Sequence, residues 1–199
     1  MMKRMITSAC LMLCLHGYSF GANIHTEYSD KNIPIVKQTP LGKYLSVHQA
    51  YKLLSDRSDI IFIDVRDAVE VGRMGHPDMV DAIVPIYIQT EQYDTELGEF
   101  ILADNPSFLS EMQTVLTRHM KTRNDMIIIT CGSGMRSAVA TRTLAAQGYT
   151  NVWHIIDGYE GDDKRGLNTH NAWQLAGLPW SYDIIDGSQW RLLIKPEAK

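Results

Sequence analysis

A glycine-rich stretch that begins at Cys131 and ends at Arg136 contains the residues best suited to chemistry in this chain. A cysteine acts as a nucleophile in its thiolate form, which nearby cations and backbone N–H groups stabilise. Glycines let the backbone curl inward until several N–H groups point at one atom. The pattern therefore predicts Cys131 as a nucleophile at the centre of an anion-binding loop, whose other members are Gly132, Ser133, Gly134, Met135 and Arg136.

Two predicted elements hold this loop in place. Residues 126–130 form a continuous apolar run, which is typical of a buried parallel strand. Apolar residues recur at helical spacing over 137–147, and Gly148 then ends the helix. The loop would thus lie at the carboxyl end of a strand, where open α/β sheets bind ligands, and at the positive end of a helix dipole. This position favours a reactive cysteine over a structural one, and the absence of a following Gly-Lys-Ser/Thr excludes a phosphate-binding P-loop.

A second buried strand is predicted at 60–63, and two charged residues, Asp64 and Arg66, follow it. The Asp64 carboxylate is placed to accept hydrogen bonds from N–H groups of the loop, and Arg66 to pair with Glu70 four residues on. The alternative is a helix cap and a surface ion pair with no role in the site. Asp64 and Arg66 are therefore candidate supporting residues.

The loop resembles the active-site loop of the rhodanese family of sulfurtransferases, in which Cys-x-x-Gly-x-Arg-Ser opens a helix. Cys131, Gly134, Arg136 and Ser137 match that pattern. The resemblance implies that Cys131 carries a persulfide, takes a sulfane sulfur from a small donor and passes it to a thiophilic acceptor. It also implies that the N–H groups of 132–136 hold the persulfide anion and that neither a metal nor an organic cofactor is needed.

The resemblance extends beyond the loop. An Asp-x-Arg at 64–66, a Gly-His at 75–76 and an Ala-Gly-Leu-Pro at 176–179 occur where the family has them, so the similarity covers about residues 46–179. The predicted order of strands and helices agrees with the fold that the family implies. That fold is an α/β domain whose parallel sheet is flanked by helices on both faces.

The start of the chain has the features of a signal peptide. Lys3 and Arg4 precede a short apolar segment at 6–15, and small residues at Ser19 and Gly21 provide a cleavage site. About ten apolar residues are too few to span a bilayer, which needs about 20. We therefore expect a cleaved signal peptide, no membrane span, and a periplasmic or secreted mature protein.

Four segments are predicted: a signal peptide at 1–21, an irregular lead-in at 22–45, a rhodanese-like domain at 46–182 and a C-terminal tail at 183–199. Cleavage would remove Cys10 and Cys14 and leave Cys131 as the one cysteine of the mature protein. A lone cysteine in an exported protein is a reactive group or an intermolecular partner, and an exported redox protein is a possible partner here. The net charge of −4 gives no indication of nucleic-acid binding.

Two segments are longer than the family pattern requires. Residues 89–104, which follow a strand predicted at 82–88, are expected to be an acidic, irregular insertion. Residues 160–171 are expected to form a solvated loop, because the spacing of their acidic residues fits no EF-hand.

Two alternatives to catalysis of sulfur transfer follow from the sequence. One is a non-catalytic carrier or docking module that holds sulfur for an exported partner. The other is a cysteine-dependent phosphatase, which the four residues between Cys131 and Arg136 disfavour, because related phosphatases have five. Thiosulfate-using members of the rhodanese family often carry further basic residues in the loop, whereas Arg136 is the only one here. The resemblance therefore implies that thiosulfate binds poorly and that the donor is a persulfide or polysulfide.

Overall fold

The computed structural model describes residue 24, residues 26–161 and residues 171–183. This part of the chain contains four helices: α1 Val47–Asp56, α2 Ala68–Met74, α3 Phe108–Arg118 and α4 Met135–Ala146. Its strands are β1 Tyr44–Leu45, β2 Ile61–Asp64, β3 His76–Pro77, β4 Ala82–Ile83, β5 Tyr87–Asp94, β6 Glu99–Asp104, β7 Ile127–Thr130, β8 Val152–Ile155 and β9 Trp180–Ser181.

A five-stranded sheet with the order β1-β8-β7-β2-β4 forms the centre of the fold, and all of its strand pairs are parallel. β7 lies in the middle, with Ile129 opposite Ile63 of β2 and His154 of β8. All four residues of β7 are buried, as expected for a strand covered on both faces. The parallel α/β architecture predicted from the sequence is confirmed.

Helices cover both faces of the sheet because successive strand residues point to opposite sides. Ile127 and Ile129 pack in one apolar cluster with residues of α3 and α4. Ile128 packs in the other, with residues of α1, α2 and the buried Trp173. A capping box at Ser46 and Gln49 fixes the start of α1.

The segment at 89–104 is a β-hairpin, so the expectation of an irregular insertion was wrong. β5 and β6 pair antiparallel, and the rings of Tyr93 and Phe100 meet edge-to-face across the two strands. Asp94 accepts hydrogen bonds from two backbone N–H groups in the turn, and Gly98 adopts a positive φ of 71° there. Three of the acidic residues that suggested a loop, Glu91, Glu96 and Asp104, occupy exposed positions of the hairpin.

The strand predicted at 82–88 is two strands, because Pro85 lies between β4 and β5. Proline lacks the N–H that a continuous ladder requires, so the chain leaves the central sheet there. β5 and β6 instead form a separate two-stranded sheet, and β3 and β9 form another.

The lead-in packs on the domain. Its last residues form β1, which pairs with β8, and a 3-10 helix spans Ile35–Lys37. The buried Lys37 donates a hydrogen bond of 2.9 Å to the backbone oxygen of Ile156. The folded unit thus includes residues before 46.

Several predicted segments fall outside the described residues: the signal peptide at 1–21, the tail from 184 onward, and most of the segment at 160–171. Within the residues that are described, no helix is both long and apolar enough to cross a bilayer.

Candidate active site

Cys131 directly follows β7 and lies fully buried beneath the loop that leads into α4. Its sulfur accepts hydrogen bonds from the backbone N–H groups of Gly134, at 3.1 Å, and Ser137, at 3.3 Å. Both donors belong to the start of α4, where the N–H groups of a helix lack partners within the helix. The arrangement suits a negatively charged sulfur at the carboxyl end of the central strand.

Gly134 is required for this loop to close. Its φ is 90°, and a Cβ at this position would lie 1.9 Å from the backbone oxygen of Ile156. Because a side chain fits neither the backbone conformation nor the space, only glycine allows the N–H of residue 134 to face the sulfur.

Ser137 and His154 form a buried polar pair next to the nucleophile. The Ser137 hydroxyl oxygen lies 3.6 Å from the Cys131 sulfur, 3.3 Å from Nδ1 of His154 and 3.0 Å from the backbone oxygen of Gly134. Nε2 of His154 lies 2.9 Å from the backbone oxygen of Lys37, which can only accept, so Nε2 carries the proton and Nδ1 accepts. Burial lowers the pKa of His154 to about 4, and this imidazole is therefore neutral at neutral pH.

Sequence reasoning did not assign a site role to Ser137 or His154. Ser137 was visible as the last residue of the loop pattern, but its hydroxyl contact with sulfur depends on the first turn of α4. No local pattern marked His154, because it is one residue of a buried strand whose partners lie far away in the sequence.

Arg136 pairs with Glu70 of α2. Each oxygen of the Glu70 carboxylate accepts a hydrogen bond of 2.5 Å from one of the two terminal nitrogens of Arg136. Burial lowers the pKa of Arg136, but its hydrogen bonds to Glu70 and the electrostatic influence of Cys131 outweigh that effect and raise it above its ordinary value. Arg136 is thus held by Glu70, the carboxylate for which the sequence analysis predicted Arg66 as the partner.

The pairing predicted between Arg66 and Glu70 was wrong. Arg66 precedes α2 and its N-cap Asp67, so helical i,i+4 geometry does not apply to it. Its fully buried side chain instead bonds the Asp64 carboxylate, at 2.7 Å, and Glu160, at 3.1 Å. Asp64 accepts the N–H of Arg66 rather than an N–H of the catalytic loop.

Glu160 links the segment that follows β8 to the loop. The backbone oxygen of Gly132 accepts hydrogen bonds from the N–H groups of Glu160 and Gly161. The side chain of Glu160 bonds Arg66, and burial raises the pKa of this carboxyl above its ordinary range against the opposing effect of that cation. Asp64 and Arg66 therefore support the loop indirectly, through Glu160.

A cavity of about 610 Å³ adjoins the outer side of the loop. Ser133, Met135 and Arg136 form one part of its lining, and α2 contributes Glu70 and Arg73. The β5–β6 hairpin forms the opposite wall. Of the predicted loop residues, Gly134 contacts the Cys131 sulfur through its backbone N–H. Ser133, Met135 and Arg136 line the cavity instead.

The model of the rhodanese-like domain family matches residues 46–164. The chain belongs to this family. The matched region contains Cys131 and its loop, Glu70 and the hairpin, so the candidate site described above lies within the rhodanese-like domain.

Relatives and one solved structure agree with this assignment. Rhodanese-like domain-containing protein 17 of Arabidopsis thaliana is 34% identical over 116 residues, which are 58% of this chain and 64% of that protein. Thiosulfate sulfurtransferase 16, chloroplastic, of the same plant is 37% identical over 68 residues, 34% of this chain and 52% of the relative. The crystal structure of Rv0390 from M. tuberculosis matches with a TM-score of 0.52 and 27% identity, over 70% of this chain and 97% of that one. These similarities agree with the assignment of the chain to the rhodanese-like domain family.

Proposed function

We propose that this protein is a sulfurtransferase that moves a sulfane sulfur from a donor to a thiophilic acceptor through a persulfide on Cys131. The observation that carries the proposal is the position of the Cys131 sulfur, which receives N–H groups from Gly134 and Ser137 at the start of α4. Such donors stabilise a charge that develops on sulfur without having to reorganise.

The first half-reaction loads the cysteine. The Cys131 thiolate attacks the outer sulfur of the donor, a bond forms between the two sulfur atoms, and the donor's own bond to that sulfur breaks. The bonding electron pair leaves with the rest of the donor as an anion. No external oxidant or reductant is consumed, because the sulfane sulfur only changes its partner.

The second half-reaction unloads it. An acceptor thiolate, sulfite or cyanide attacks the outer sulfur of the persulfide, and the Cys131 thiolate departs with the electron pair of the broken sulfur–sulfur bond. The N–H groups of Gly134 and Ser137 again stabilise the departing anion. The Ser137 hydroxyl has one proton, which it can donate to His154 or to the backbone oxygen of Gly134. It lies close enough to the Cys131 sulfur to donate that proton to a charged sulfur instead.

Access to the buried sulfur requires a small rearrangement at the loop. A Cβ added to Gly132 would lie 3.1 Å from Arg136 and 3.2 Å from Glu70, so this ion pair covers Gly132 on the cavity side. Movement of the pair would open the loop toward the cavity. The donor enters from that side.

The proposal includes export of the protein to the periplasm or the medium, with an exported redox protein as a possible acceptor partner. The charged start, the short apolar segment and the small residues before position 22 support export. Intact-mass analysis of the protein from its native host should give an N-terminus near Ala22. Retention of Met1 would contradict export without affecting the chemistry.

The experiment that tests sulfur transfer is intact-mass analysis of the reduced protein after exposure to a sulfane donor, followed by an acceptor. We expect Cys131 to gain the mass of one sulfur atom and to lose it when cyanide or a thiol is added, with many turnovers per molecule. Cys131→Ser should show neither step while keeping the wild-type circular dichroism spectrum.

Each other outcome has a defined meaning. Loading without multiple turnovers would support a carrier module instead of an enzyme. Retained turnover in Cys131→Ser would overturn the proposed nucleophile. Efficient hydrolysis of an aryl phosphate through Cys131 would replace the proposal with the phosphatase alternative.

A further inference from the structure

The cavity beside the catalytic loop is larger than an inorganic donor needs. Its volume of about 610 Å³ lies in the range of roughly 300–1,000 Å³ that is typical of sites for organic ligands. Thiosulfate has only a handful of heavy atoms and would leave most of this space unused. The size of the cavity therefore indicates a donor with an organic body.

The hairpin wall of the cavity is mainly apolar, with Gln89 as its polar residue. Phe100 and Leu102 of β6 face the cavity together with Tyr87 of β5, and Val69 of α2 adds to them. Phe100 is 45% exposed and Leu102 42%, so apolar surface of the cavity remains in contact with water. Covering such surface with an apolar ligand group is favourable.

The charged groups of the cavity differ in whether they already have an ion-pair partner. Arg136 is held at both terminal nitrogens by Glu70, and Glu160 is bonded to Arg66. Arg73 of α2 also lines the cavity, is exposed, and forms no ion pair with any carboxylate of the described residues. Arg73 is thus the cation of this cavity that is ready to bind an anionic group of a ligand.

We propose that the sulfur donor is an organic persulfide that carries a carboxylate, bound with its body against Phe100 and Leu102 and its carboxylate on Arg73. This rests on the proposed function and assigns its substrate class. The Cys131 thiolate attacks the terminal sulfur of the persulfide and forms a new sulfur–sulfur bond. The old bond breaks, its electron pair leaves with the organic thiolate, and the persulfide proton stays on the transferred sulfur or passes to that thiolate.

The test compares three donors on the full chain: the persulfide of N-acetylcysteine, the persulfide of N-acetylcysteine amide, and thiosulfate. The amide keeps the organic body but lacks the carboxylate, and thiosulfate lacks both. For the wild-type protein, kcat/KM should be highest for the acid, roughly tenfold lower for the amide, and lowest for thiosulfate.

Two sets of variants locate the contacts. Arg73→Gln should lower kcat/KM for the acid roughly tenfold and leave little difference between acid and amide. Phe100→Ala with Leu102→Ala should lower the ratio of organic persulfide to thiosulfate turnover by a similar factor. Ile101→Ala, on the same strand but outside the cavity lining, and Arg118→Gln, exposed on α3, are the matched controls and should behave as wild type.

Failure of this inference differs from failure of the proposed function. If no donor places sulfur on Cys131, the proposed function itself is wrong. If all three donors load Cys131 but the acid–amide difference survives in Arg73→Gln, or the double variant leaves the donor ratio unchanged, sulfur transfer stands and the assigned binding site is overturned.

Discussion

The Glu70 carboxylate accepts a hydrogen bond from each terminal nitrogen of Arg136, at 2.5 Å each. An anion that reaches the loop must displace a carboxylate supplied by the protein. Bidentate arginine–carboxylate pairs are among the stronger polar interactions in proteins, so this competition weakens anion binding. The pair also gives a structural reason for the poor use of thiosulfate expected from the sequence.

Replacement of Glu70 by glutamine should therefore improve thiosulfate as a donor. The glutamine side chain carries no charge and can accept only through one oxygen, which leaves part of Arg136 available. We expect KM for thiosulfate to fall by about threefold to tenfold in a thiocyanate-forming assay at constant ionic strength. Glu96→Gln, at the exposed hairpin turn, changes the net charge equally and should leave KM unchanged. A KM that stays the same or rises in Glu70→Gln would show that Glu70 does not compete with the donor.

Gly134→Ala should disable the loop. The new Cβ would meet the Ile156 backbone oxygen at 1.9 Å and force both the loop and its N–H away from the sulfur. We expect a loss of about 3 kcal/mol or more in the free energy of unfolding, and persulfide formation too slow to measure.

Gly148→Ala is the control for backbone strain alone. Gly148 also has a positive φ, 82°, but nothing lies within 4 Å of an added Cβ. This variant should lose about 1 kcal/mol in urea unfolding and keep the specific activity of the wild type. Normal sulfur transfer by Gly134→Ala would mean that the N–H of residue 134 does not serve the sulfur.

His154 should make the protein sensitive to acid. Burial, with the cations of Lys37 and Arg142 nearby, lowers the pKa of His154 from its ordinary value of 6.5 to about 4. Between these values the unfolded chain binds a proton that the folded chain does not, so stability falls as the pH drops below about 6.5. The loss should be about 2 kcal/mol between about pH 7 and pH 5, and should approach about 3 kcal/mol near pH 4.

Urea unfolding across this pH range measures the effect. His154→Gln removes the titrating group and should flatten the pH dependence, even if it is less stable throughout. His48→Gln, exposed on α1, should keep the wild-type slope. An unchanged slope in His154→Gln would show that other groups cause the acid sensitivity.

The length of the loop should separate sulfur transfer from phosphate hydrolysis. A glycine inserted after Gly134 gives five residues between Cys131 and Arg136 and moves the donors apart, so sulfur transfer should fall at least about tenfold because donors must lie near 3 Å from the charge. The wild type should hydrolyse p-nitrophenyl phosphate negligibly. A glycine inserted after Ser58, at the amino end of β2, is the control and should leave sulfur transfer intact. Full sulfur-transfer activity with the longer loop would show that the spacing of the N–H donors does not depend on a loop of this length.

Local patterns predicted the structural setting of Cys131 well. A continuous apolar run, glycines and a helical repeat are contiguous around Cys131, and the structure has β7, the loop and α4 there. The Glu70–Arg136 pair was missed because it joins residues that are 66 positions apart. Sequence spacing instead predicted Arg66 as the partner of Glu70, but the buried Arg66 side chain binds Asp64.

The hairpin was missed for a different reason. Polar and acidic residues dominate 89–104, and the core does not impose the strict alternation that marks a half-buried strand. Its pairing depends on contacts between the strands, such as Tyr93 with Phe100, and on the turn at Asp94. Such a hairpin leaves a weak signal in composition, although its position determines the shape of the cavity.

The sheet topology has a consequence for hydrogen exchange. β7 is paired on both sides, by β8 and β2, so its amides should exchange with solvent only when the whole domain unfolds. β5 and β6 pair with each other in a sheet of their own, and their amides should exchange through local opening at much lower free energy. We therefore expect the strand that precedes Cys131 to lie in the slowest-exchanging part of the fold, and the hairpin wall of the cavity to exchange faster.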